Sequence, residues 1–381
     1  MEPVGQFVPD PSRVLLPVLS LVLAAKTGNI PKKPRDVPGP VGRTRMPTGR
    51  TCFSVRAGHS CQQCSRAAAV PAGSAAQYGV EWWSPRMTKK SVAVIVHYGP
   101  TGPTIELAAR LDRSPLIDQV VAVANDLAAR PGALPPGVAW VVPDRNLGFG
   151  GGFRRGAEEY PSATAYILLN NDIRIDDATI EECLEIVSRD GVGIVAPTLV
   201  NATGLQSGAA ATTRVLGAPR VLRVPPRADI QDADWVTGAV MFIRAECHRQ
   251  VPMDARFFLG WEDLEFCRRA RRAGWRVLLS PATAWHSGGG TIPSGAYGYY
   301  YTRNQLWFAR LQRWRVRAAI IAFWSALVVL PRTIVLDLVR RRGLRLSTLV
   351  LHGIVDGLGR LPSASAPFLD EPRAARWSQW G

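Results

Sequence analysis

Three carboxylates in the run Phe257-Phe258-Leu259-Gly260-Trp261-Glu262-Asp263-Leu264-Glu265-Phe266-Cys267 stand among aromatic and aliphatic side chains, where a charge is costly to bury. Neighbouring carboxylates in an apolar setting push one pKa upward, toward the range a general base needs near neutrality. Asp263 is the candidate base. The competing reading makes Glu262 and Glu265 helix-start acids favoured by the macrodipole. Upstream, the apolar run Tyr166-Ile167-Leu168-Leu169 leads straight into Asn170-Asn171-Asp172. A hard Mg²⁺ or Mn²⁺ takes one or two protein carboxylates and completes its shell with phosphate oxygens and water. Asn171-Asp172 is therefore a candidate metal–diphosphate site, with an Asp capping a turn as the plain alternative. His286 follows a strand-like run and precedes Ser287-Gly288-Gly289-Gly290. That Gly-rich loop, rather than an apolar face, favours a site role for the imidazole. Apolar strands ending in acids, with one histidine downstream, point to a metal-dependent site with a separate base.

The elements that must position these residues read as α/β. Val92-Ala93-Val94-Ile95-Val96 is a continuous apolar run, as a parallel strand covered on both faces requires. A helix is expected over about 104–113, with Leu107 and Leu111 on one face, then strands over 119–124 and 139–142. A Gly-dense turn leads into a helix at about 151–160, followed by a strand over 165–169, a helix over 177–188 and a strand over 193–196. Trp235 to Ile243 reads as one strand with Gly238 in its middle, where such a residue marks close backbone or ligand approach. Gly274 to Pro281 reads as a turn, a buried strand and a stop. This alternation is that of a doubly wound domain, whose ligands bind at the carboxyl ends of the strands. Asp126, Arg145-Asn146 and Asn170 to Asp172 all fall at such ends. The run Arg145-Asn146-Leu147-Gly148-Phe149-Gly150-Gly151-Gly152 is either a place where backbone amides approach a phosphate at a helix N-terminus or a tight turn. It matches neither the dinucleotide nor the P-loop spacing.

With 381 residues and 47% hydrophobic content the chain can bury a sizeable core in one large or two medium domains. The net charge of +16 comes overwhelmingly from arginine and fits an anionic partner, although an Arg- and Ala-rich coding bias explains part of it. No nucleic-acid recognition module accompanies it. Six scattered cysteines form no disulfide framework, in keeping with a reducing cytoplasm. Cys183, Cys247 and Cys267 read as small buried hydrophobes. Residues 1–86 are rich in Pro, Gly, Arg and Ala, and are expected to be disordered or not made, Met87 being an alternative start. A zinc site at Cys52, His59, Cys61 and Cys64 is a minor alternative there. From 311 onward, the apolar stretch Ala318 to Leu330 is flanked by arginines on both sides and followed by Pro331. It is short for a span and reads as a helical tail on an anionic membrane surface, or as a lid packed on the domain.

The ordered set Val94-Ile95-Val96-His97-Tyr98, Arg145 to Gly150, Leu168 to Asp172, Val236 to Ala239, Phe257 to Asp263, His286 and Arg303-Asn304 resembles family 2 glycosyltransferases of the GT-A fold. The similarity is strongest to the rhamnosyltransferase- and galactofuranosyltransferase-like branch, over residues 91–310. The resemblance implies a Rossmann-like mixed sheet with a membrane-associating C-terminal tail. It implies Asp172 and His286 on a divalent Mg²⁺ or Mn²⁺, Asp263 as the base, and Trp261, Glu262 and Glu265 on the acceptor side. Tyr98, Asn125 and Asp126 fall where the family holds base and ribose, and Arg145, Asn146, Gly148, Gly152 and Asn171 complete the sugar-nucleotide contacts. The implied reaction is a single inverting displacement. It moves a hexosyl or deoxyhexosyl group from a nucleotide-diphosphate sugar to a lipid-linked or cell-envelope glycan, at the cytoplasmic face of the membrane. Three departures stand out: Asn125-Asp126-Leu127-Ala128 replaces the usual Asp-Asn-x-Ser, Asn170 replaces the first acid of D-x-D, and Phe153-Arg154 replaces Asn-Asn. A nucleotidyltransferase of related fold would need a basic Gly-rich loop after the first strand. Gly99-Pro100-Thr101-Gly102-Pro103 has no basic residue. A non-catalytic sugar-nucleotide-binding scaffold is the third reading.

Overall fold

A computed structural model describes residues 90–201, 204–206, 209–212, 219–221, 229–287, 294–341 and 343–362; the expectations for residues 1–86 and for the glycines after Ser287 lie outside them. In chain order the first half comprises β1 (Ser91–His97), α1 (Thr101–Asp112), β2 (Gln119–Ala124), β3 (Ala139–Val141), α2 (Gly148–Glu158), β4 (Ala165–Asn170), β5 (Ile173–Arg174) and α3 (Asp177–Val187). The strands β6 (Val192–Asn201), β7 (Gly204–Gln206), β8 (Ala209–Thr212), β9 (Pro219–Val221), β10 (Gln231–Asp232), β11 (Trp235–Val236) and β12 (Val240–Arg244) follow. Then come α4 (Ala245–Gln250), α5 (Glu262–Arg272), β13 (Arg276–His286), α6 (Ser294–Leu311), α7 (Arg315–Val339) and α8 (Arg345–Leu358).

The main sheet has the order β10-β13-β6-β12-β4-β1-β2-β3. β1 lies between β2 and β4, parallel to both, which is why its apolar run is unbroken. Its alternate residues feed two cores. Val92, Val94 and Val96 join Phe153 of α2, Leu264 and Phe266 of α5 and Trp307 and Phe308 of α6. Ala93 and Ile95 join Leu107 and Leu111 of α1 and Ile180, Cys183 and Ile186 of α3. Each such valine, leucine, isoleucine or phenylalanine stabilises the fold by about 1.5–3 kcal/mol through removal from water. Cys183, Cys247 and Cys267 are fully buried, and burial pushes the thiols of Cys183 and Cys247 up to about 12.

Three expected boundaries differ. Trp235 to Ile243 is not one strand: β11 pairs with β8 in a separate small sheet, a turn intervenes, and β12 runs antiparallel between β4 and β6. β13 does not stop at Pro281, because a register shift between Ser280 and Thr283 leaves the proline where no ladder N–H is required. α7 passes through Pro331 as one helix of 25 residues. A π-turn at Ser325–Val329 lies where the proline withholds its N–H and crowds the preceding turn. By length and composition α7 is sufficient to cross a membrane, and few of its residues are buried.

Candidate active site

Tyr98, Asn125-Asp126 and Asn170 to Asp172 stand at the carboxyl ends of β1, β2 and β4. At β4, Asn170 is followed by Asn171-Asp172 and the short β5. β5 pairs antiparallel with the end of β13, placing His286 opposite Ile173. The Asp172 carboxylate consequently lies 3.3 Å from His286 Nε2 and accepts a 2.7 Å hydrogen bond from the Ser287 hydroxyl. Burial raises the Asp172 pKa, but the hydrogen bonds from His286 and Ser287 and the attraction of the imidazole outweigh it. The group stays below the usual carboxylate range. The two residues expected on a metal thus meet. Among the described residues no group of three or more His, Cys, Asp or Glu could hold a metal alone. One carboxylate and one imidazole, with the remaining positions left to diphosphate and water, suit Mg²⁺ or Mn²⁺.

Asp263 reaches the same edge from the other side. It lies in the first turn of α5, and its carboxylate accepts from Gly238 N at 3.0 Å and from Leu264 N at 2.7 Å. The next residue, Ala239, accepts from Asn170 N at 2.9 Å. Two backbone residues therefore join the base candidate to the strand end carrying Asp172. Gly238 is required there: a Cβ would lie 2.8 Å from the Phe149 ring and 3.5 Å from Asp263 Cβ. Burial raises the Asp263 pKa against the two backbone donors. Glu262 is buried, with one carboxylate oxygen lacking a hydrogen-bond partner among the described residues. Burial and the Asp263 charge push it up to about 8. Glu265 is buried one turn on, paired with Arg269 at 2.5 Å, on the helix face shared with Glu262 rather than toward Gly238. Trp261 is buried against Tyr301 and Phe308.

On the donor side, Asp126 accepts from Gly99 N at 3.0 Å and lies 3.3 Å from His97 Nε2. His97 is fully buried and its other nitrogen lies 2.7 Å from Thr104 Oγ1, to which Asn171 Nδ2 also donates at 3.3 Å. Burial lowers the His97 pKa more than Asp126 raises it. Asn125 is buried and directs its amide inward, donating to Gly148 O at 2.8 Å and accepting from Leu147 N at 3.4 Å. Asn146 accepts from Gly148 N at 2.9 Å. Arg145 is half-buried and Tyr98 is 40% exposed at the end of β1.

The glycine run differs from a phosphate-cradling loop: α2 begins at Gly148 itself, so Gly150 to Gly152 lie inside the helix. Packing accounts for its composition. A Cβ on Gly148, at φ +71°, would lie 2.2 Å from Phe258 O, and one on Gly152 would lie 2.8 Å from the Asn125 amide. Phe258 O in turn accepts from Phe149 N at 2.7 Å, tying the donor-side helix to the loop before α5. That loop holds Phe258 and Trp261 at positive φ, a conformation costing roughly 1–2 kcal/mol per residue. Asn304 maintains it. Its buried side-chain amide donates to Phe257 O, Leu259 O and Gly260 O at 2.7–3.0 Å. Beside it the buried Arg303 donates to Phe257 O at 2.8 Å and lies over the rings of Tyr300 and Trp307. Of these positioning residues, Gly238 carries a sequence signal as a strand glycine marking close approach, whereas His97 and Asn304 stand out by resemblance alone.

A mixed α/β sheet with a paired carboxylate and imidazole at one strand end, and a buried base candidate tied to the same strand, is the arrangement of a GT-A fold. The family model described as "Glycosyltransferase like family 2" matches residues 103–317, more than half of the chain, and the protein belongs to that family. Similar solved structures include GalNAc-T7 with UDP, GalNAc and Mn²⁺ (14% identity, TM-score 0.45, covering 57% of this chain and 51% of that one). Another is the mannosyltransferase PcManGT from Pyrobaculum calidifontis with GDP-Man and Mn²⁺ (13% identity, TM-score 0.41, 71% and 88% covered). A third is TarS 1-349 of S. aureus (12% identity, TM-score 0.38, 57% and 64% covered). The chain thus spans about half the length of the first of these. No curated protein matches it.

Proposed function

We propose that the protein is an inverting glycosyltransferase moving a hexosyl or deoxyhexosyl group from a nucleotide-diphosphate sugar to a hydroxyl of a lipid-linked or cell-envelope glycan. The rhamnosyl- and galactofuranosyl-transferring branch is the one its ordered motifs resemble most. The observation that carries the reading is the backbone link from Asp263 through Gly238 and Ala239 to Asn170, which brings the base candidate to the edge where Asp172 and His286 pair.

In this reading Tyr98, Asp126, Arg145, Asn146 and Asn171 line the nucleotide and sugar side, while Asn125, Gly148 and Gly152 set the approach of α2. Asp172 and His286 would hold a divalent ion, which when bound neutralises charge on the diphosphate leaving group. Asp263, its carboxylate oriented by two backbone N–H groups, takes the proton of the acceptor hydroxyl. The acceptor oxygen forms its bond to the anomeric carbon from the face opposite the nucleoside diphosphate, which leaves with the electron pair of the broken bond. Burial raises the Asp263 pKa, which strengthens the carboxylate as a base. Trp261 and Glu262 flank the acceptor. Glu265 stands further along the helix as the partner of Arg269.

The exposed apolar α7 supports work at a membrane surface, in the cytoplasm where nucleotide sugars are made. A panel of nucleotide sugars tested for metal-dependent transfer or hydrolysis decides the matter. Asp263→Asn is expected to lower turnover by about 10²–10⁴-fold while donor binding persists. Turnover by Asp263→Asn at the wild-type rate, or activity insensitive to a chelator, would overturn the corresponding assignments.

A further inference from the structure

α5 carries the base at its N-terminus and four arginines in its C-terminal half. Three of them, Arg268, Arg271 and Arg272, line a cavity of about 290 Å³ whose wall also includes Trp235 and Phe308 and a single acid, Asp234. The cavity adjoins the corner between α6 and α7. There Arg268 donates to Gln312 Oε1 at 2.8 Å, and the guanidiniums of Arg268 and Arg317 both lie against the Trp314 ring, at 4.6 and 4.3 Å. Phe308 and Trp314 meet edge to face at 5.7 Å, so cavity wall and corner are continuous.

Three features make this a site rather than a solvated charge patch. Cations are crowded: burial and then the Arg272 charge hold the Arg268 pKa below its ordinary value, with Arg317 and Arg271 adding to the repulsion and only Asp234 opposing it. Trp235, nine-tenths buried in the cavity wall, has an indole N–H with no hydrogen-bond partner among the described residues, and such a donor is costly to leave unsatisfied. Guanidinium forks, finally, match phosphate oxygens in geometry as well as charge. What sits beside the cavity identifies the source of the phosphate. α7 starts at Arg315 and at once exposes Val316 (74%), then Phe323 (68%) and Leu327 (59%). A ligand with a phosphate and an apolar body, held where a polar headgroup layer meets hydrocarbon, fits both surfaces together.

We propose that the cavity formed by Arg268, Arg271, Arg272 and Trp235 binds the phosphate of an anionic lipid headgroup, seating the catalytic domain on the membrane at the start of α7. The inference rests on the membrane-surface part of the function proposed above, and its test is separable from the sugar-transfer part. The full chain in mild non-ionic detergent is titrated with short-chain phosphatidylglycerol, short-chain phosphatidylcholine and inorganic phosphate, with binding read by calorimetry. Saturable binding of phosphatidylglycerol over the other two is expected. Arg271→Gln/Arg272→Gln, both exposed, should weaken it by on the order of tenfold, whereas Arg113→Gln/Arg189→Gln, of equal charge change, should not. Nucleotide-sugar binding should be unchanged in both variants. Equal affinity for both lipids, equal binding of inorganic phosphate, or equal loss in the two double variants would overturn the proposal. Absence of sugar transfer with phosphatidylglycerol binding intact would instead remove the enzymatic reading and leave the lipid site standing.

Discussion

Replacing Glu262 by Gln separates the acid beside the base from the base itself. Glu262 is 5% exposed, its carboxyl is pushed from the ordinary 4.5 up to about 8, and one of its oxygens has no hydrogen-bond partner among the described residues. Because the folded-state pKa is raised, the protonated carboxyl favours the folded state. That contribution is fully present below 4.5 and is lost progressively as pH rises to about 8. At 1.36 kcal/mol per pKa unit the loss is on the order of 5 kcal/mol, a large part of a normal domain's stability. Glutamine keeps the shape and cannot ionise. The stability of wild type relative to Glu262→Gln should therefore fall across that window and level off above it. Part of the shift comes from the neighbouring Asp263 charge, so the fall should be smaller when both proteins also carry Asp263→Asn. Urea unfolding followed by tryptophan fluorescence across the pH range reads the difference directly. A constant difference between pH 4.5 and about 8 would refute the claim that Glu262 is held neutral beside the base.

Further outcomes follow from the site geometry. If Asp172 and His286 hold a divalent ion as proposed, His286→Ala should weaken its binding by more than the roughly 10–100-fold typical of losing an outer-shell partner. It should also raise the Asp172 pKa, since the imidazole holds it down; metal titration of activity and carboxyl NMR check these. Gly148→Ala puts a Cβ 2.2 Å from a backbone carbonyl at positive φ. It should cost at least about 2 kcal/mol and lower kcat through displacement of the Phe258 loop; a wild-type melting curve would refute the packing account. Asn304→Asp replaces the amide donor to three carbonyls by an acceptor. It should destabilise by about 3 kcal/mol or more and reduce kcat more than donor affinity. Equal losses in kcat and donor binding would mean general unfolding instead of misplacement of Asp263.

Much of the core was legible because the main strands are buried on both faces and must be apolar throughout; Val92 to Val96 and Tyr166 to Leu169 have few other readings. Boundaries failed where a local breaker was neutralised by tertiary structure. Pro281 sits in a bulge and Pro331 beside a π-turn. Gly238 stands in a turn between strands of two different sheets. The glycine run was ambiguous for a related reason. Missing side chains serve a phosphate approach and a tight helix packing equally well, and only the 2.2 Å approach of Phe258 O to the Gly148 Cβ position distinguishes them.

By itself the sequence singled out the candidates: an acid after β4, an acid in the first turn of a basic helix, and a histidine before a glycine loop. Only the tertiary structure decided which of them meet. Asp172 and His286 are distant in the chain and adjacent because β5 pairs with the last residues of β13. Asp263 is tied to the end of the same strand β4 because β12 runs antiparallel to it, with Gly238 and Ala239 bridging the base candidate and Asn170. Strand pairing is a long-range hydrogen-bond choice that local residue patterns do not encode, whereas the cost of burying a charge is local and visible in the sequence.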